Sequence, residues 1–343
     1  MAVQAAIHGK ENKGLDVMKQ ILVTGGCGFI GSNFIRYFLA NRPAWKVINL
    51  DKLSYSGNPA NLRDLKGSSR YKFVKGDITD KKLVMKLMKQ VSAVVHFAAE
   101  THVDRSIESA DDFLVTNILG TAAMLEASLA CAIPRFVHMS TDEVYGSISK
   151  GFADERAPLL PNSPYSASKA GADLLVRSFQ ETFDHPAMIV RCTNNFGPYQ
   201  FPEKVIPLFV TNLLENKTVP LYGKGNNRRD WIYVEDACRA ILLVLEKGRP
   251  GEIYNVGAHH EMSNLELTRA ILRHFKKGRE MIRNVADRLG HDLRYAVNYN
   301  KLKQLGFRPR WSFEKGLAAT TRWYRENQGW WRPLKQDKYT MKS

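Results

Sequence analysis

Cysteine is scarce in this chain. Four thiols in 343 residues, Cys27, Cys131, Cys192 and Cys238, lie far apart and share no metal-ligand or redox spacing. A disulfide framework is therefore excluded, no metal site is assigned, and a reducing, cytoplasmic setting is expected. No apolar run approaches the ~18 residues of a membrane span, and the N-terminus lacks the apolar core of a secretory signal, so no membrane partner is expected. Internal repeats and low-complexity segments are missing too. So is a long basic run: the net charge of +16 is dispersed, with short clusters such as Lys276-Lys277 and Arg228-Arg229. Nucleic acid is accordingly not an expected partner, whereas a nucleoside diphosphate would need only a few of these charges.

What is present is a succession of strand-like runs that end in chemistry. Residues 1–17 show no sustained period and read as a tail. From Met18 the pattern sharpens: Ile21-Leu22-Val23 precedes Gly25, Gly28 and Gly31, and an amphipathic helix follows through Leu39. Glycines so placed permit a tight turn, close approach of a pyrophosphate, and close packing of helix on strand. A second strand, Lys46–Leu50, ends in Asp51, twenty residues after Gly31. A carboxylate there accepts both ribose hydroxyls of NAD and repels a 2′-phosphate. Lys52 tempers that preference without reversing it.

Later strand ends extend the pattern. Tyr71–Val74 leads to Asp77-Ile78, where an acid could meet an adenine amino group. Ala93–Phe97 leads to Ala98-Ala99-Glu100-Thr101-His102, whose small residues would let a cofactor lie against the backbone. His102 fits either a ligand contact or a packed histidine. The next helix carries Thr116 and Asn117, the latter read as bonding backbone in the core. The run Phe136–Met139 then ends in Ser140-Thr141-Asp142-Glu143, a hydroxyl and two adjacent carboxylates at the position where open α/β sheets bind ligands. After a Pro-rich loop come Tyr165 and Lys169, four apart and so on one helical face. An ammonium there favours ionisation of the phenol, which brings a group of pKa ~10 toward use as a base.

These motifs together resemble the extended short-chain dehydrogenase/reductases, and within them the dTDP-glucose 4,6-dehydratase family. The similarity is carried by Thr24-Gly25 to Gly31, Ala98 to Ser106, Ser140 to Gly146, Asn194 to Lys204, Arg229-Asp230-Trp231 and Gly290-His291-Asp292, and it runs from about Met18 to Pro333. It implies a Rossmann-type doubly wound parallel sheet over 18–195, to which later strands or helices could return. A smaller α/β substrate lobe over 196–335 and a tail over 336–343 complete the expected organisation.

The resemblance also implies bound NAD, held additionally by Phe29, Ile30, Leu53, Ser54 and Asn195, and a homodimer built on helices of the cofactor domain. Its catalytic set is Thr141, Asp142, Glu143, Tyr165 and Lys169. Asn194, Lys204 and Val205 would contact the nucleotide sugar, as would His102 and Thr141. Pro220 to Tyr222 would line base and ribose, Arg229 would hold the diphosphate, and Asn264 with Asp287, Arg288 and His291 would close the site. Leu289 stands where proline is usual and Leu293 where arginine is usual, which bears on the loop and the nucleotide preference. The implied reaction is oxidation at C4, loss of water across C5 and C6, and reduction at C6. A UDP-sugar 4,6-dehydratase, a 4-epimerase, and a non-catalytic NAD-sensing polyanion binder are the alternatives. The tryptophans near the C-terminus read as packing.

Overall fold

The computed structural model describes residues 19–287 and 289–336; residues 1–18, Arg288 and 337–343, where the expected tails fall, lie outside it. Short apolar runs build the centre. The strands β1 (Gln20–Thr24), β2 (Lys46–Asp51), β3 (Tyr71–Lys75), β4 (Ala93–His96), β5 (Phe136–Thr141) and β6 (Ala187–Cys192) are joined by helical crossovers. All their pairings are parallel, and β10 (Ile253–Val256) pairs with β6 to complete a seven-stranded sheet of order β10-β6-β5-β4-β1-β2-β3. β4, β5 and β6 are buried along their full length, as expected for a sheet covered on both faces. Each Val, Leu or Ile buried there contributes about 1.5–3 kcal/mol.

Helices Phe29–Asn41 and Val234–Lys247 pack together over one face, where Ile21, Val95 and Val137 meet Phe34, Ile241 and Val244. Helices Lys81–Met88, Thr121–Ala130 and Pro164–Phe183 cover the other, against Leu22, Val94 and Phe136. The strand order reverses between β4 and β1, and the crevice beyond their carboxyl ends is where such sheets take ligands.

A smaller lobe follows. β7 (Asn194–Phe196), β9 (Arg228–Tyr233) and β11 (Glu261–Ser263) form one short sheet, and β8 (Val219–Tyr222) pairs with β12 (Ile282–Val285) in another. Their core gathers Phe196, Phe209, Trp231, Leu267, Phe313 and Trp331.

The helical run Asp111–Ala130 is long and apolar enough to cross a membrane by length and composition, although the sequence showed no unbroken apolar stretch. Somewhat more than half of it, 56%, is buried against the rest of the protein. That is the behaviour of a core helix.

Candidate active site

The turn after β1 is built on glycine for steric reasons. Gly25 has φ +69°, and a Cβ on it would stand 2.6 Å from the Ala98 nitrogen; a Cβ on Gly31 would stand 2.3 Å from the Gly25 oxygen. The turn thus brings β1 against the end of β4, and helix Phe29–Asn41 starts from it with Gly28 at its N-cap. At the end of β2, Asp51 accepts hydrogen bonds from the Cys27 and Leu53 backbone N–H groups, both at 2.8 Å. Burial raises its pKa and those two amides oppose the rise. Lys52 pairs with Asp77 at 3.4 Å, so the ammonium sits beside the acid expected to meet an adenine.

A cleft of about 290 Å³ runs along these strand ends. At one end it is walled by Gly28, Phe29, Ile30, Asp51, Lys52 and Ser54, with Asp77 and Ile78 opposite. Ala98 to Thr101 and Thr116 form its middle, and Thr141, Glu143, Tyr165, Lys169, Asn194, Asn195 and Lys204 its far end. The structure therefore gathers most of the expected cofactor residues and four of the five expected catalytic ones, all but Asp142, around one cleft. Leu53 lies just outside, contributing its N–H to Asp51. A glycine cradle and a carboxylate at the end of β2 fit a dinucleotide.

Asn117 does more than bond backbone. The helix widens to π geometry over Leu114–Gly120, and the Asn117 amide bonds both the N–H and the carbonyl of Glu100 and the Ser168 hydroxyl at 2.8 Å. It ties the strand end carrying Glu100 to the helix carrying Tyr165 and Lys169. That helix starts cleanly because Ser163 forms a capping box with Ser166 and Pro164 occupies its first turn.

β5 delivers the acid pair. The Thr141 hydroxyl accepts from the Glu143 N–H at 3.2 Å and donates to Asp142 Oδ1 at 3.3 Å. Asp142 is 2% exposed, and its Oδ2 has no hydrogen-bond partner among the described residues. Burial first, and then the neighbouring Glu143, hold its carboxyl well above the usual range; Arg229 pulls the other way. Its environment thus favours the neutral carboxyl over the carboxylate.

Tyr165 departs from expectation. Its phenol is pushed well up by burial, then by Glu143 and Asp142, with only the Thr141 hydrogen bond pulling it down. The spacing from Lys169 does not bring it toward neutrality, because Lys169 directs Nζ to the Met139 carbonyl at 2.7 Å. The Lys169 ammonium is instead lowered to about 8, chiefly by burial, with Asp173 opposing.

The expected substrate residues divide. Lys204 donates to the Thr101 carbonyl at 3.3 Å, with Val205 opening the helix behind it, and Asn194 Oδ1 is buried without a partner among the described residues. His102 faces Glu203 at 3.5 Å and caps helix Val103–Glu108. Pro220 and Tyr222 lie on β8, Asn264 opens the helix Asn264–His274, and Asp287 bonds His291 Nδ1 at 2.7 Å beside the Tyr222 ring. Arg229 is buried, and its guanidinium donates to the Arg228 and Asp292 carbonyls. Leu289 and Leu293 turn outward, 79% and 57% exposed. Arg288 is outside the described residues.

Two functional candidates escaped the sequence reading. Tyr295 bonds Asp292 Oδ2 at 2.7 Å, reaches Glu143 Oε2 at 3.4 Å, and carries the Arg229 guanidinium over its ring at 4.0 Å. Tyr55 lines the cleft with Arg105 stacked on it at 3.8 Å. Neither sits in a repeating motif, and the contact of Tyr295 with Glu143 spans 152 residues of chain.

The sheet, the glycine turn and the Thr–Asp–Glu strand end with its Tyr-x-x-x-Lys helix define an enzyme of the extended short-chain dehydrogenase/reductase class. Residues 22–320 match the family described as GDP-mannose 4,6 dehydratase. A dTDP-glucose 4,6-dehydratase of Streptomyces niveus is 51% identical over 321 residues, 92% of this chain and 96% of that one. The low-salt glycan biosynthesis protein Agl12 of Haloferax volcanii is 51% identical over 304 residues, 89% of this chain and 98% of that one. A dTDP-glucose 4,6-dehydratase of Streptomyces venezuelae, solved with NAD bound, superposes with a TM-score of 0.90 at 53% identity, covering 92% of this chain and 99% of that one. The chain belongs to this 4,6-dehydratase family, on its dTDP-glucose branch.

Proposed function

We propose that the protein converts dTDP-glucose to dTDP-4-keto-6-deoxyglucose. The carrying observation is the buried Asp142 carboxyl beside Glu143 at the end of β5, where burial and then Glu143 favour its neutral form. An epimerase or simple dehydrogenase has no use for an acid and a base side by side; elimination of water needs both. NAD, when bound in the cleft, supplies the acceptor and donor of one hydride and is regenerated over the cycle.

The chain's own residues move the protons. Tyr165 takes the proton of the sugar 4-hydroxyl, with Thr141 bonded to the same oxygen. To accept that proton Tyr165 acts as the phenolate, its own proton having gone to solvent, and Lys169 supplies a positive charge on the same helical face. The resulting ketone acidifies C5. Glu143, steadied by the Tyr295 hydroxyl, removes the C5 proton, and Asp142 gives its proton to the departing 6-hydroxyl. Lys204, Tyr222, Arg229 and His291 hold the nucleotide, an arginine fork suiting phosphate oxygens.

Incubation with dTDP-glucose and with UDP-glucose tests this reading. A 4-keto-6-deoxy sugar from dTDP-glucose is expected; the same product from UDP-glucose alone, or a C4 epimer, overturns the substrate or the reaction.

We also propose a cytoplasmic homodimer. Leu114, Val115 and Leu119 on the helical run Asp111–Ala130, and Leu174 on its neighbour Pro164–Phe183, are 44–59% exposed. Two packed helices with a shared apolar outer face suit an isologous four-helix contact. No disulfide occurs among the described cysteines, which suits a reducing compartment.

A further inference from the structure

The segment Gly197–Lys204 forms the wall of the cleft beside Asn194 and Asn195, and Tyr199, Gln200, Phe201 and Lys204 all line it. Its backbone does not hold that shape unaided. Tyr199 has φ +65°, a left-handed conformation that costs a non-glycine residue about 1 kcal/mol or more, so its surroundings must impose it.

Those surroundings come from the C-terminal helices Phe313–Glu326 and Gln328–Gln336. The Tyr199 ring packs against Trp323 at 4.6 Å and against the edge of Trp330 at 5.9 Å, and the two indoles meet each other at 5.0 Å. The Tyr324 hydroxyl donates to the Gln200 carbonyl. From the cofactor side, the Arg36 guanidinium lies over the Tyr199 ring at 4.3 Å, and Asn33 donates to the Pro198 carbonyl at 3.0 Å; both belong to helix Phe29–Asn41.

Trp330 also reaches the glycine turn. Trp330 Nε1 donates to Asn61 Oδ1 at 2.8 Å, and Asn61 Nδ2 donates to the Cys27 carbonyl at 2.8 Å, inside the glycine turn. One aromatic cluster thus braces both the phosphate-binding turn and the wall at the catalytic end. Ordinary lobe packing asks for neither link.

We propose that Trp323 and Trp330 form a clasp that positions the Gly197–Lys204 wall and the glycine turn together, and so retains the dinucleotide through turnover. The inference rests on the NAD reading above. Its physical logic is that a cofactor used and regenerated in each cycle gains nothing from exchange. Exchange needs the wall to part from the turn, and the clasp joins them by packing rather than by touching the cofactor.

The test uses the full chain as purified and measures NAD itself, by chromatography of the heat-released nucleotide after successive rounds of desalting. Trp330→Phe keeps an aromatic ring and deletes the bond to Asn61; NAD loss should quicken about tenfold. Adding Trp323→Leu should quicken it by a further several-fold. Turnover lost on desalting should return when NAD is supplied in excess. Trp311→Phe is the control: it trims an indole of the same lobe that stacks on Tyr233 at 4.3 Å and does not line the cleft. Its NAD retention should match wild type. Equal retention in Trp330→Phe and wild type overturns the clasp, as does equal loss in Trp330→Phe and Trp311→Phe, since that is general loosening of the lobe. A wild-type protein that neither carries nor takes up NAD overturns the cofactor reading itself, and the clasp with it.

Discussion

Asp142 is held above the usual carboxylate range because of where β5 ends. Its raised folded-state pKa, set by burial and then Glu143, has two consequences. For stability, a carboxyl raised in the fold contributes fully below its unfolded value near 4, and that contribution is lost as pH rises toward the folded value. Asp142→Asn removes a group whose proton the unfolded chain releases, so it should raise the melting temperature at pH 7–8. An unchanged or lower melting temperature counts against the protonated assignment. For catalysis, the proton is the one needed by the leaving 6-hydroxyl. Asp142→Asn with Glu143→Gln should cut 6-deoxy product formation by about 100- to 10,000-fold, while a C4-oxidised, still hydroxylated sugar accumulates in the mass spectrum. Near-normal product from the double variant would sink the assignment. Tyr295→Phe deletes the hydroxyl shared by Asp292 and Glu143 and should lower kcat about tenfold with little change in KM. A rise in KM alone would make Tyr295 a substrate contact instead.

At the scale of elements, the parts of the site legible in the sequence are those a single strand end and the helix after it can encode. Gly25, Gly31 and Asp51 are such a set, because strand, turn and helix lie consecutively in the chain. Thr141 to Glu143 is another. Tyr165 and Lys169 share a helical face as their spacing requires, yet the electrostatics differ from what spacing suggests, because Met139 captures the ammonium and the acid pair raises the phenol. Strand identity also hides a liability. His96 on β4 and His138 on β5 pair in register, stack at 5.3 Å and are 1% exposed. Burial lowers His96 to about 3 and pushes His138 well below its ordinary value, with Lys169 adding to both. Depressed folded pKa values give stability that is present above the unfolded value near 6.5 and is lost as pH falls below it. His96 should cost roughly 1.4 kcal/mol per pH unit between about 6 and 4, and His138 should add to that loss. Urea unfolding at pH 7.5, 6 and 5 should show this loss, and His138→Gln should flatten it. A pH-independent midpoint in that window would refute the buried-neutral pair.

For the whole molecule, sequence reasoning stops where function depends on surfaces brought together from distant segments. Tyr295 reaches Glu143 across the lobe, and Trp330 reaches Asn61 across nearly the full chain. Periodicity reports neither contact, since each partner's local pattern is satisfied without the other. The outer face of Asp111–Ala130 and Pro164–Phe183 belongs to the same class. Within a monomer, Leu119 at 59% and Leu174 at 55% exposed have no packing purpose, while Gly171 lets the two helices approach so closely that an added Cβ would stand 2.9 Å from Ile118 Cδ1. The pair thus presents one apolar face, which the proposed second copy would bury by symmetry. Leu119→Glu with Leu174→Glu should give a monomer in light scattering at micromolar concentration where the wild type gives a dimer. Burial of four such leucines in a dimer is worth several kcal/mol at ~25 cal/mol per Å², more than a pair of charges facing their symmetry mates can sustain. Because this face is the back of the helix that presents Tyr165 and Lys169, the monomer should also lose activity. A variant that stays dimeric with both charges in place would show that the interface lies elsewhere on the surface.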